Sequence, residues 1–350
     1  MHMADALLAP AVAATMYVAS GTAAGISIHK LKKDDEPRKL PVMAVTAALV
    51  FAGQMINYTI PGTGSSGHMC GGMLLSALLG PQAGFLSMIV ILAIQCLFFA
   101  DGGLMALGAN VWNMAFYGCF VGYYLIWRPI LRGRLFGEGR GAQRARIILA
   151  SILGCVVTLQ LGAFSVVLET SLSGITELPF GAFVALMQPI HLAIGLIEGL
   201  ITTAVLLFVF ESRPELLQDV APAEGASKRS LKAVVAVLAV VALLVGGGLS
   251  LLASSNPDGL EWALFGNADA GYSENMGLDE EKFGVSSAVA DKAGEIQEKT
   301  SFLPDYAFPE SEAAVGTSVS GVVGSAMVAG VALLLCLVGG FFRKKKEKNA

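Results

Sequence analysis

The chain has 350 residues, 55% hydrophobic and 14% charged, with a net charge of −4 and a mean hydropathy of +0.67. That balance excludes an ordinary soluble domain and indicates a polytopic, all-α membrane protein in a lipid bilayer; no basic surface for nucleic acid is expected. The five cysteines, Cys70, Cys96, Cys119, Cys155 and Cys336, form no Cys-x-x-Cys pair, so neither a thiolate zinc site nor a disulfide framework is indicated.

The chain opens Met1-His2-Met3-Ala4-Asp5. No basic region or cleavage site marks a signal peptide, so the terminus is expected to be kept. His2 is bulky enough to hinder methionine trimming. The amino-terminal amine, the His2 amide nitrogen and His2 Nδ1 can close chelate rings around one ion and fill three corners of a square. An all-nitrogen square suits Ni(II) or Cu(II). Protons must leave as the metal binds, so affinity should rise with pH. The competing reading is an arbitrary histidine in a frayed end.

Residues 6–29 make a first span rich in small residues, long enough for a bilayer of about 30 Å. The basic loop 30–39 follows, with His29 at the helix end. The positive-inside rule makes that loop cytoplasmic and puts His2 outside. A second span, 41–60, is broken by Ile60-Pro61-Gly62-Thr63-Gly64 on the outer side. The glycine-rich loop Gly64-Ser65-Ser66-Gly67-His68-Met69-Cys70-Gly71-Gly72 then feeds a short third span, 69–80. Glycine allows positive φ and close backbone approach. Irregular backbone at membrane depth is tolerated only where protein or a cavity surrounds it. His68 can therefore supply the fourth corner of the square.

Spans at 82–100, 104–127, 147–170 and 181–210 complete a seven-helix bundle, residues 1–213. The basic run from Arg128 to Arg146 falls inside, and Glu169 and Glu177 lie near an outer loop. A cytoplasmic linker, 214–227, leads to a two-span accessory module, 228–350. Its spans, 231–253 and 316–342, flank an outer acidic segment, 254–314, with 13 acidic residues and three lysines. The final Arg343-Lys344-Lys345-Lys346 makes the carboxyl terminus cytoplasmic. The acidic segment either gathers cations by its field or orders the region that closes the site.

Polar side chains inside spans are costly and need reasons. Gln54, Asn57, Gln95, Asn110 and Asn113 either support the site or its loop, or tie helices together. Asp101 caps a helix or binds metal. Met3, Met69 and Cys70 are soft donors or core filler, and Asp5 and Gly67 sit beside the ligand candidates. His191 and Glu198, two helical turns apart, share one face and form either a second ion station or a structural tie.

These pieces resemble the CbiM/NikM family, the substrate-binding membrane component of energy-coupling-factor transporters for cobalt and nickel. The matching residues are Met1 to Asp5, Gly64 to His68 with Gly71-Gly72, Leu79-Gly80-Pro81, Gln95 to Asp101-Gly102-Gly103, Leu107 to Asn110, and His191 to Glu198-Gly199. Asn256-Pro257-Asp258-Gly259-Leu260-Glu261-Trp262-Ala263 and Pro304-Asp305-Tyr306 resemble the small accessory component of the same systems, here joined in one chain. The resemblance implies metal ligation by Met1, His2 and His68, with nickel or cobalt as transported substrate and no prosthetic group. It also implies a transmembrane coupling protein and cytoplasmic ATPases as partners in a bacterial or archaeal cell membrane. Met69-Cys70 departs from the aliphatic residues expected there, and Cys70 could add a thiolate. A Gly-x-x-x-x-Gly-Lys-Ser/Thr loop is absent, so the ATP site is expected elsewhere. The functions that compete with nickel capture are cobalt uptake for corrinoid synthesis, an ATP-independent permease and an intramembrane metalloenzyme. No internal repeat and no His-Glu-x-x-His motif favours the last two.

Overall fold

In hydrocarbon each backbone amide must be bonded within its own segment, so uncharged apolar runs fold as helices. The computed structural model of the chain describes residues 1–31, 39–175, 178–220, 229–268, 271, 284–308 and 313–348. Among the described residues, six helical segments are long and apolar enough to cross a membrane: Pro10–Leu31, Pro81–Phe99, Arg140–Leu172, Phe180–Ser212, Leu231–Leu252 and Val315–Leu335. In chain order, α1 is Pro10–Leu31 and α2 Lys39–Gln54. Then come α3 (Gly72–Leu79), α4 (Pro81–Phe99), α5 (Leu107–Asn110) and α6 (Arg128–Arg132), the last two joined by π-type turns over Val111–Trp127. α7 (Arg140–Leu172), α8 (Phe180–Ser212) and α9 (Leu231–Gly247) follow, then α10 (Gly259–Phe265), α11 (Ala288–Thr300) and α12 (Ala313–Lys348).

Three expectations change. The second span stops at Gln54, and residues to 60 instead form β1 (Tyr58–Ile60). β1 pairs antiparallel with β2 (Ser65–Gly67), with Tyr58 opposite Gly67 and Ile60 opposite Ser65. The third span is a helix of eight residues, all buried. At 1.5 Å per residue it rises roughly 12 Å, under half a bilayer core, and the irregular backbone before it makes up the depth. That backbone survives because protein encloses it. The segment 254–314, read from sequence only as an acidic connection between two spans, has structure of its own: its described parts include α10, α11 and the short helix Pro304–Tyr306. Seven helices plus two is thus too simple a division, although α9 and α12 do form the second unit's long pair.

That pair packs on α2 and on itself. The α9–α12 crossing depends on glycine, because a Cβ at Gly321 would fall 2.1 Å from the Gly246 carbonyl oxygen. Part of the linker is docked at the bundle end remote from the amino terminus. The Gln218 N–H donates to Ala77 O at 2.8 Å, Trp127 Nε1 donates to Gln218 O at 2.9 Å, and Asp219 accepts from Tyr123 Oη and Arg132 Nε, each at 2.6 Å. Residues 221–228 and Glu177 lie outside the described part. His29 occupies the last turn of α1, as expected.

Candidate metal centre

The amino terminus is not frayed. It threads into the bundle, with Met1, Met3, Leu7 and Leu8 all buried. Asn110 clamps Met3 at two points, accepting from its N–H at 2.7 Å and donating to its carbonyl at 3.2 Å. The Gly103 N–H donates to the same carbonyl at 2.9 Å, and Asp5 Oδ1 accepts from the Ala106 N–H at 2.9 Å. Gly103 has to be glycine, because a Cβ there would come within 1.8 Å of Asp5 Oδ1. The Met1 methyl lies against Gly162, where a Cβ would be 3.2 Å away. Of the residues predicted as site support, Asn110 and Asp5 thus hold the chain end itself.

The second half comes from the loop after β2. Glu198 on α8 accepts from the N–H of Cys70 at 2.7 Å and of Gly71 at 2.9 Å, and Gln54 Nε2 donates to Cys70 O at 2.7 Å. Gly71 sits at φ +83°, and a Cβ would lie 2.4 Å from Val50 Cγ1; both facts require glycine. Gly67 passes equally close to Ile194, at 2.5 Å for a Cβ. The sequence left Glu198 as either ion station or tie, and its geometry is that of a tie to the His68 loop.

The two halves meet. The His2 and His68 rings stack with centroids 5.4 Å apart and planes at 25°. The Met1 amine donates to Asp258 Oδ2 at 2.9 Å, and His68 Nε2 lies 3.8 Å from the same oxygen. Asp258 caps α10 in a reciprocal pair with Glu261. Met1, Gly67, His68, Cys70, His191 and Asp258 surround a cavity of about 10 Å³, room for about one water-sized body. Among the described residues no three His, Cys, Asp or Glu side chains converge as a metal cluster. A four-donor site here depends on the backbone nitrogens of Met1 and His2. Met69 turns away, its sulfur 2.3 Å from where a Cβ on Gly53 would lie. Cys70 reaches the cavity, but its thiol donates to Met114 O at 3.2 Å.

His2 is also engaged. Its Nδ1 lies 3.1 Å from Asp101 Oδ1 and its Nε2 3.2 Å from Gln95 Oε1. Asp101 accepts in turn from Tyr306 Oη at 2.5 Å. Asp101, expected either to cap a helix or to bind metal, instead pairs with a ring nitrogen of His2. Burial pushes the His2 imidazole down to about 4, against the pull of Asp101, so the ring is neutral at pH 7. A neutral ring giving its Nδ1–H to Asp101 accepts at Nε2. The Gln95 amide nitrogen has no other partner among the described residues, and a half-turn of that amide supplies the donor. Chelation must free Nδ1 from Asp101.

A pH dependence follows. The folded-state value of His2 lies below the ordinary 6.5, so the unfolded chain binds the extra proton first. Stability from the neutral ring is complete above pH 6.5 and drains away as pH falls towards 4, by up to about 3 kcal/mol. Burial opposes ionisation of Asp258, but the Met1 ammonium, the hydrogen bond and charge of His68 and the Glu261 N–H outweigh it and hold this carboxyl well below its usual range. Asp258 therefore stays ionised through this window. Thermal unfolding of the purified chain at pH 7.5 and 5.0 should show the loss, and His2→Ala should flatten it.

The sequence reading passed over Asp258 and Tyr306 as site residues. Asp258 is 257 positions from Met1, and the available signal was its Pro-Asp-Gly-Leu-Glu cap. The second unit is stitched over the centre elsewhere too. The Ser66 N–H donates to Pro257 O at 2.8 Å, the Ser254 N–H to Asn57 O at 2.7 Å and the Val285 N–H to Ala6 O at 2.8 Å. Gln297 Nε2 donates to Gly102 O at 2.7 Å. Asn57 thus serves through its carbonyl, and Asn113 donates to Glu169 at 2.8 Å.

Residues 2–216 match the family model described as cobalt uptake substrate-specific transmembrane region, and residues 232–340 match the PDGLE domain. The chain is similar to the fused nickel transport protein NikMN of Rhodobacter capsulatus, at 32% identity over 364 residues, 97% of this chain and 96% of that one. The cobalt transport protein CbiM of Sorangium cellulosum is 31% identical over 233 residues, 65% of this chain and all of that one. A crystal structure of a truncated transition metal transporter aligns with a TM-score of 0.52 at 31% identity, covering 60% of this chain and 99% of that one.

Proposed function

The chain belongs to the CbiM family, with a PDGLE domain joined behind it, and on that premise we propose that it captures Ni(II) for an ATP-driven importer of the energy-coupling-factor type. It is a multi-pass membrane protein whose relatives are nickel and cobalt transport proteins. The proposed ligands are the Met1 amine, the His2 amide and ring nitrogens and a ring nitrogen of His68. Supporting this is one observation: residues from the chain end and from a loop 66 positions on enclose one cavity sized for a single small occupant.

In this reading the ion enters from the outer face, where the amino terminus lies. Asp258 gives up the amine and Asp101 gives up His2 Nδ1 as the ion takes both. Four nitrogens in a plane favour Ni(II) over Co(II). A transmembrane coupling protein and cytoplasmic ATPases drive release, and the carboxyl terminus is cytoplasmic. Calorimetry of the purified chain should give one tight nickel equivalent and weaker cobalt binding, with binding falling in acid. Metal uptake into cells should need the coupling and ATPase partners. Uptake by this chain alone would replace the proposal with a permease, and tighter cobalt binding would make cobalt the substrate.

A further inference from the structure

Two spaces of very different size lie close to His2. The one shared by Met1 and His68 holds about 10 Å³, enough for a bare ion or a single water. The other is an open groove of about 420 Å³ between the end of α4 and α11, and its lining includes Ala100, Gln297, Glu298 and Ser301. A divalent cation in water carries about six waters, roughly 200 Å³ in all at about 30 Å³ each. That body fits the groove and not the small cavity, so an ion on its way to Met1 and His68 has to shed water nearby.

The groove adjoins the metal centre. Ala100 on its wall precedes Asp101, whose carboxylate lies 3.1 Å from His2 Nδ1. Gln297 forms the floor, its Nε2 donating to Gly102 O at 2.7 Å and to Cys96 O at 2.9 Å. A Cβ on Gly102 would lie 3.3 Å from His2 Cβ. One glycine therefore separates the Gln297 amide from His2.

Charge on α11 is arranged to suit a cation. Gly294, Gln297 and Glu298, spaced by three and four, form the face turned to the groove. Asp291, Glu295 and Glu298 occupy the adjoining flank, one turn apart, and all are exposed. Lys292 and Lys299 fall on the far flank, away from the opening.

We infer that this groove is the entry vestibule for the metal ion. The acidic flank of α11 draws hydrated divalent cations in, they lose water inside the groove, and they reach His2 past Asp101 when the Gln297 amide lets go of Gly102. This rests on Met1, His2 and His68 forming the metal site.

The test follows nickel binding to the full chain in detergent by stopped flow, with affinity measured by calorimetry. Neutralising the flank with Asp291→Asn, Glu295→Gln and Glu298→Gln together should slow association about tenfold at low salt, and the deficit should fade above about 0.5 M salt. The second arm is a removable plug. Glu298→Cys coupled to a bulky methanethiosulfonate reagent should slow association and dissociation by the same factor, about tenfold or more, because a blocked path hinders entry and exit alike. Kd should stay within about twofold, and a reductant should restore both rates in the same sample, which controls for folding. Wild type treated with the same reagent controls for the native cysteines. Unchanged rates in either arm would overturn the vestibule while leaving the metal site intact. A plug that weakens affinity as much as it slows association would also overturn it, by making the groove part of the site. A wild type that binds no nickel would overturn both readings.

Discussion

Placing a three-residue Met-Gly-Ser extension ahead of Met1 is expected to weaken nickel binding by at least about a thousandfold, about 4 kcal/mol. The extension leaves all the side chains in place. It converts the Met1 amine into an amide, which removes the terminal donor and breaks the chelate that begins there. It also removes the charge that pairs with Asp258 at 2.9 Å, leaving a half-buried carboxylate without that partner. Nor is there room for more chain, because Met1 is 6% exposed and its methyl is wedged against Gly162. An alanine inserted between Met1 and His2 is a less clean change. Histidine at the third position forms a nitrogen square of its own with the amine and two amides. Calorimetric titration of nickel into the extended and native chains decides the matter; unchanged affinity would remove the amine from the ligand set.

The second large effect is expected at Glu198, which touches no ligand side chain. Glu198→Ala should cost about 3–5 kcal/mol of stability and about tenfold to a hundredfold in nickel affinity. Both carboxylate oxygens accept backbone N–H groups of the His68 loop, and bonds to a buried charged acceptor are the strong kind. Without them the Cys70 and Gly71 amides are buried unpaired, and the loop loses the anchor that sets His68 opposite His2. Glu198→Gln should fall between, since its amide nitrogen faces an N–H donor while its oxygen still accepts from the other. Thermal unfolding and nickel titration together check this. A Gln variant equal to wild type would mean that Gln54 and the second unit suffice to hold the loop.

Much of this protein was legible in its sequence, because membrane folding is a local problem. A run of apolar residues must satisfy its own backbone, so hydropathy alone located the long helices. The ligand candidates were legible for a different reason. The chelating power of Met1-His2 is a property of adjacent atoms, and the glycines around His68 announced irregular backbone. Other matters are decided at long range. The sequence extended α2 to residue 60, yet a hairpin forms there because the second unit supplies partners for its edge through Asn256 and Pro257. Glu198 could be placed on a helix face, but only packing decides whether that face meets a loop or an ion. Asp258 could be read as a helix cap, and its second contact, to an amine at the other end of the chain, exists only once the two units are stacked. Adjacency, period and composition located the long helices and named the candidate chelate; the pairing of charges across 257 positions belongs to the tertiary structure, because nothing local in either segment requires the other.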